Sequence, residues 1–145
     1  FADETGLGPS AVAAIVQIGT EPGLTIETLR KPIALSHSAT VRLVDQLVAG
    51  GYVVRADGVE GDRRAKSLQL TDTGTELFDR SLRARRAVIR RAFTTLDADE
   101  REQLGRLMEK LLPTLVDPGP DQDVVCRVCD QGVCDQERCP VAHLD

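Results

Sequence analysis

Four cysteines stand within fourteen residues of each other near the end of the chain, in CRVCDQGVCDQERCPVAH from Cys126 to His143, and the sequence holds no others. Their spacing is C-x2-C-x4-C-x4-C-P, through Cys126, Cys129, Cys134, Cys139 and Pro140. Lasting structural disulfides are rare in a reducing cytoplasm, so metal ligation is the leading account of such a cluster. Four thiolates form a tetrahedral zinc site, and the spacing equals that of the small zinc knuckle with Cys134 in place of its usual histidine. The same four ligate an iron–sulfur cluster, in which a cysteine followed by proline is a frequent last ligand. A thiol–disulfide switch or unbound thiols are the remaining chemistry. The expected cofactor is an iron–sulfur cluster, with Zn2+ as the alternative. His143, four residues past Cys139, is a substitute ligand or a solvated terminal residue.

The two metals imply different roles. A structural zinc would contribute on the order of 10 kcal/mol to ordering the tail and needs no signal. An iron–sulfur cluster makes the tail a sensor, because oxidation or loss of the cluster removes its staple. The tail is too short and polar for a core of its own, and DPGPDQD, from Asp117 to Asp123, is expected to be an acidic linker that breaks the preceding helix.

What precedes the linker has the content of one ordinary globular core. The chain has 145 residues, 41% apolar and 28% charged, enough for one domain with an appendage. No apolar run approaches the ~18 residues of a membrane span, and no secretory signal is visible, so the expected location is cytoplasmic. The chain opens at Phe1 and enters a helical pattern almost at once, an expectation that further sequence precedes it. Charge is unevenly spread. Residues 1–29 carry −4, Arg30–Arg91 carry +6, and Ala92–Asp145 carry −7, within an overall −5. A basic middle in an acidic chain fits a local nucleic-acid footprint.

The pattern in that middle supports the charge. Gly8 to Gly19 begins with Pro-Ser and continues as the apolar run AVAAIVQI, a buried helix. Thr25 can cap the short helix TIETLRK, which Pro32 must end. Ser36 can cap HSATVRLVDQLVAG, which stops at Gly50-Gly51. Helix, short turn, helix is the spacing of a helix-turn-helix. At 100° per residue, Leu43, Val44, Leu47 and Val48 fall on one side of the second helix. Ser38, Arg42, Asp45 and Gln46 fall on the other, as side chains able to read base edges. YVVRA and SLQLT then alternate as strands around the basic loop DGVEGDRRAK. A basic hairpin after a helix-turn-helix makes a winged helix, with Arg63 or Arg64 near a minor groove or phosphates.

From about Leu7 to Val116 the sequence resembles the MarR family of bacterial transcription regulators, most specifically in LVDQLVAGGYVVRADGVEGDRRAKSLQLTDTG from Leu43 to Gly74. Asp62, Arg64, Thr71 and Gly74 match that family's wing signature. The resemblance implies that Arg64 enters the DNA minor groove, that Asp62 helps hold the wing, and that Ser36 to Ala49 is the recognition helix. Two departures stand in the turn: Pro32 replaces a usual helix former and Ala34 a common glycine, so the first helix should end early. The expected DNA-facing set is Ser36, His37, Ser38, Thr40, Arg42, Gln46, Asp62, Arg63, Arg64 and Lys66.

Beyond the wing, TGTELFDRSLRARRAVIRRAFTTL is expected to be a long helix with Leu77, Phe78, Leu82, Val88, Ile89 and Phe93 on its apolar side. Its cluster RSLRARRAVIRR is a solvated face or an extra set of phosphate contacts. Asp97 and Glu100 make a capping-box start for a further helix with Leu104, Leu107, Met108, Leu111 and Leu115 on its face. Such a hairpin could close a monomer core; the family resemblance instead implies a homodimer, with recognition helices set about one DNA turn apart.

The expected fold class is therefore mainly α (α+β): a winged helix-turn-helix (1–74), dimerisation helices (75–116) and a linker with a cysteine-rich metal-binding tail (117–145). The expected function is a DNA-binding regulator, a repressor by preference, that binds a pseudo-palindromic duplex with affinity set by the metal centre. One alternative places the signal in a small-molecule effector bound between the helices, with a structural zinc in the tail. Another is a small redox or partner-binding metalloprotein. No arrangement of nucleophile, base and acid stands around His37 or His143, so no enzyme is expected.

Overall fold

The computed structural model describes residues 7–59, 62–117, 120–127, 129 and 133–144, with backbone alone at 58–59, 62–65 and 120–121. Helix α1 (Pro9–Thr20) opens with proline at its first turn, where the missing N–H is not needed. It is buried through Ala11, Ala13, Ala14, Ile15, Val16 and Ile18, as its uninterrupted apolar run requires. Helix α2 (Ile26–Leu29) is a single turn capped by Thr25, whose hydroxyl accepts from the Thr28 amide while the Thr28 hydroxyl accepts from the Thr25 amide.

The early end of α2 follows the expectation drawn from Pro32 and Ala34. Pro32 is buried in the turn, and Ala34 takes φ 53°, the left-handed region that favours glycine. Helix α3 (His37–Ala49) follows, capped by the Ser36 hydroxyl, which accepts from the Ala39 amide. At its far end Gly51 takes φ 74°. Gly51 N–H donates to Val48 O and Tyr52 N–H to Leu47 O, closing the helix in the manner of a glycine cap.

Strands β1 (Val53–Val59) and β2 (Asp62–Leu70) pair antiparallel from Val53↔Leu70 to Val59↔Asp62, with an irregularity between Asp57 and Val59. The segment expected as the loop DGVEGDRRAK is thus largely strand, because the ladder continues through Asp57↔Lys66 and these side chains also form an ion pair. Lys66 stands on the strand and not at a loop tip. Leu68 N–H also donates to Leu24 O at 2.8 Å, tying the sheet to the segment before α2.

Helix α4 (Asp72–Phe93) starts at Thr71 and α5 (Ala98–Leu111) at Asp97, whose carboxylate forms the expected capping box with Glu100. A 3-10 turn (Leu112–Leu115) follows. Helix α6 (Pro120–Cys126) then replaces the second half of the expected linker; a proline suited to a helix's first turn explains the difference. Ile15, Leu29, Val44, Leu47, Val53, Leu68 and Leu77 meet in one core, each worth about 1.5–3 kcal/mol of burial. That core belongs to the winged-helix part. Val88, Ile89, Phe93, Leu107, Met108, Leu111 and Leu115 are exposed, and none of the described residues of α5 is buried, so the hairpin does not close a monomer core.

Candidate nucleic-acid interface and thiol cluster

The exposed side of α3 carries most of the residues expected to face DNA. Ser36, His37, Ser38, Arg42 and Gln46 are all exposed, while Val44 and Leu47 on the opposite side are fully buried. For Ser38, Arg42 and Gln46 that division follows from the helical period; Ser36 and His37 are exposed at the start of the helix. Thr40 is the correction. It is fully buried, and its hydroxyl donates to Ser36 O at 3.0 Å, satisfied inside the first turn of α3 and out of reach of a base edge. The wheel angle of Thr40 is close to that of Val44 and Leu47, which was the available signal.

The start of α3 is linked to α2 by charge. Arg30 Nη2 lies 2.6 Å from Glu27 Oε1, and His37 Nδ1 lies 3.4 Å from Glu27 Oε2. The hydrogen bond from Arg30 holds the Glu27 carboxyl below its ordinary value of 4.5, and the same contact pushes Arg30 up. All three groups are open to solvent, so the link orients more than it stabilises.

A second link was not foreseen. Arg55 on β1 donates to Asp45 Oδ1 on α3 at 2.7 Å, joining wing to helix across ten positions of sequence. Thr71 and Gly74 of the wing signature act at the foot of the hairpin. The Thr71 hydroxyl accepts from Gly74 N–H at 3.0 Å and donates to Gly51 O at 2.6 Å. A Cβ on Gly74 would collide with the carbonyl of Tyr52. These residues lock the foot of the wing against the end of α3. Lys66 is exposed and paired with Asp57. The backbone of Asp62, Arg63 and Arg64 lies on β2; their side chains are outside the described residues.

The four thiols are half-exposed and none is in a disulfide. Burial first, then the neighbouring thiols Cys129, Cys139 and Cys134 and the Asp123 carboxylate, push the Cys126 thiol up. Burial, Cys139 and Cys129 do the same for Cys134. Thiols that feel one another's charge in this way would ionise more readily around a cation. Among the described residues no three His, Cys, Asp or Glu are yet arranged to hold a metal together. The last residues return onto α6, where Gln122 Nε2 donates to Val141 O at 2.9 Å, and Val141 is buried.

The tail is also less separate than a linker would make it: Cys129, Val133 and Cys134 face Leu82, Arg85, Arg86 and Ile89 of α4 across a cavity of about 210 Å3. Beside it an apolar groove of about 550 Å3 runs between Val12, Ala13 and Val16 of α1 and Leu82, Val88 and Ile89 of α4. Among the described residues no helix is long and apolar enough to cross a membrane.

Residues 5–65 match the model of the MarR family. The chain is 27% identical over 112 residues to the transcriptional repressor MprA of Escherichia coli, covering 76% of this chain and 63% of that protein. It is 28% identical over 107 residues to the HTH-type transcriptional regulator YkoM of Bacillus subtilis, covering 74% and 69%. It therefore spans less than two thirds of the length of MprA. Among solved structures, YusO of Bacillus subtilis superposes with TM-score 0.66 at 24% identity, covering 76% of this chain and 77% of that one. FabT of Streptococcus pneumoniae, solved in complex with DNA, gives 0.67 at 22%, covering 75% and 76%. The fold is the MarR-type winged helix, as expected. The matched relatives MprA and YkoM are transcription regulators, and YusO and FabT share the fold.

Proposed function

We propose that this chain is a sequence-specific DNA-binding transcription regulator of the MarR type, a repressor by preference, that acts as a homodimer. The observation that carries the reading is the exposed polar face of α3, with Ser38, Arg42 and Gln46, bonded to β1 of the wing by the Asp45–Arg55 pair, with the basic β2 paired to β1. Arg42 and Gln46 offer bidentate groups suited to guanine and adenine edges. Arg63, Arg64 and Lys66 supply charge toward phosphates or a minor groove. The exposed apolar residues of α4 and α5 support a second copy as their cover, since a face of this composition is costly in water.

Cys126, Cys129, Cys134 and Cys139 are the ligands of a metal centre that modulates DNA affinity, an iron–sulfur cluster in the first place and Zn2+ in the second. Supporting this are the spacing and the mutual influence of thiols free of disulfides. When bound, the centre supplies a staple whose loss changes the packing of the tail. The apolar groove between α1 and α4 favours a second reading, in which a small apolar effector carries the signal and the tail holds a structural zinc.

Selection of duplexes from a random pool by the purified full chain tests the reading. The expected result is enrichment of a pseudo-palindrome with half-sites about one helical turn apart, bound with a steep loss of affinity as salt rises. Failure to retain any duplex would favour the small metalloprotein with no DNA role, and retention that enriches no sequence would overturn the sequence-specific reading.

A further inference from the structure

Two concavities of α4 meet at the same residues. Leu82, Arg85 and Ile89 line both the apolar groove against α1 and the smaller cavity closed by Cys129, Val133 and Cys134. The charges of the two partners are complementary. Helix α4 carries six arginines and three acids, whereas residues 117–145 carry seven acids and two arginines.

We propose that α4 is the seat of the thiol centre, with Arg85 and Arg86 as its counter-charges, so that loading the centre fastens the tail over one end of the apolar groove. The proposal rests on the reading of the four cysteines as metal ligands. Four thiolates around a divalent ion, or around an iron–sulfur cluster, carry excess negative charge. Guanidinium groups at the rim of such a site stabilise that charge most where apolar neighbours keep water away, and here Leu82 and Ile89 stand beside them. A molecule in the groove and a metal in the tail would touch the same three side chains, and each would alter the other's affinity by the same factor.

Titration of the full chain with Co2+, followed by thiolate-to-cobalt absorbance in competition with a chelator, tests the seat. It compares the wild type, the pair Arg85→Gln with Arg86→Gln, and the charge-preserving pair Arg85→Lys with Arg86→Lys. The glutamine pair is expected to bind Co2+ about tenfold more weakly, and the lysine pair to keep most of the affinity. Limited proteolysis gives the second readout: Co2+ should slow cleavage between residues 117 and 123 in the wild type and in the lysine pair, but not in the glutamine pair. If the glutamine pair fails to give a cooperative thermal transition, the exposed single change Arg86→Gln carries the comparison. Equal affinities and equal protection in all variants would overturn the seat while leaving the metal reading intact. A wild type that shows no thiolate-to-cobalt absorbance would overturn the metal reading and the seat with it.

Discussion

Arg55 Nη2 lies 2.7 Å from Asp45 Oδ1, so the first strand of the wing is bonded to the exposed face of α3. Both side chains are partly solvated, and a double-mutant cycle for stability is expected to give a coupling of about 0.2–1 kcal/mol. DNA binding should respond more. On the proposed reading, Asp45→Ala removes a negative charge from the face offered to DNA and releases a guanidinium, so binding to non-specific duplex should tighten. The dependence of log K on log salt should steepen by about one contact. An unchanged slope would remove this pair from the interface.

Arg64→Ala is expected to cost about 1–3 kcal/mol of affinity for the selected duplex. Binding isotherms at fixed salt measure it, and equal affinity would take the wing out of the mechanism. Thr40 provides the contrast. Its hydroxyl is used inside the helix, so Thr40→Ala should lower thermal stability, while any folded protein retains its sequence preference.

Backbone conformation makes two opposite predictions. Ala34 takes φ 53°, which costs an alanine about 1–2 kcal/mol. Ala34→Gly removes that cost but loosens the unfolded chain by about 0.4–1 kcal/mol, so the unfolding midpoint should rise slightly. Gly74→Ala should lower it sharply, because the new Cβ meets the Tyr52 carbonyl where β2 passes into α4. Chemical denaturation of the two variants checks both signs.

Local signals were sufficient for much of this fold. The caps Thr25, Ser36 and Asp97 and the stop at Gly50-Gly51 act within a few residues of themselves, and α2, α3 and α5 begin or end where these residues require. The family resemblance marked Ala34 as standing where glycine is common, and Ala34 takes φ 53°. Contacts made over distance were not legible. Nothing local indicates that Asp45 meets Arg55, that the ladder carries Lys66 opposite Asp57, or that Cys129 and Cys134 come to lie by Arg85 and Arg86. Thr40 stands with the core because its wheel angle is close to those of Val44 and Leu47.

Cys129→Ser is expected to abolish stoichiometric metal binding and leave the winged-helix transition in place, since the core cluster contains no residue of the tail. Elemental analysis and thermal unfolding on the same sample check this; loss of the whole transition would show that the tail holds the core together. Metal binding should also depend on pH in a fixed direction. Cys126 and Cys134 are pushed up, so their protons are still bound near neutrality and must leave on loading. Apparent affinity should rise between about pH 6.5 and about pH 8.

The most direct measurement of the central claim is the affinity of the full chain for its selected duplex, taken with the centre loaded and stripped at one salt concentration. A change of about fivefold or more between the two states is the predicted result. Equal affinities, with metal content verified in both samples, would contradict control of DNA binding by the thiol centre.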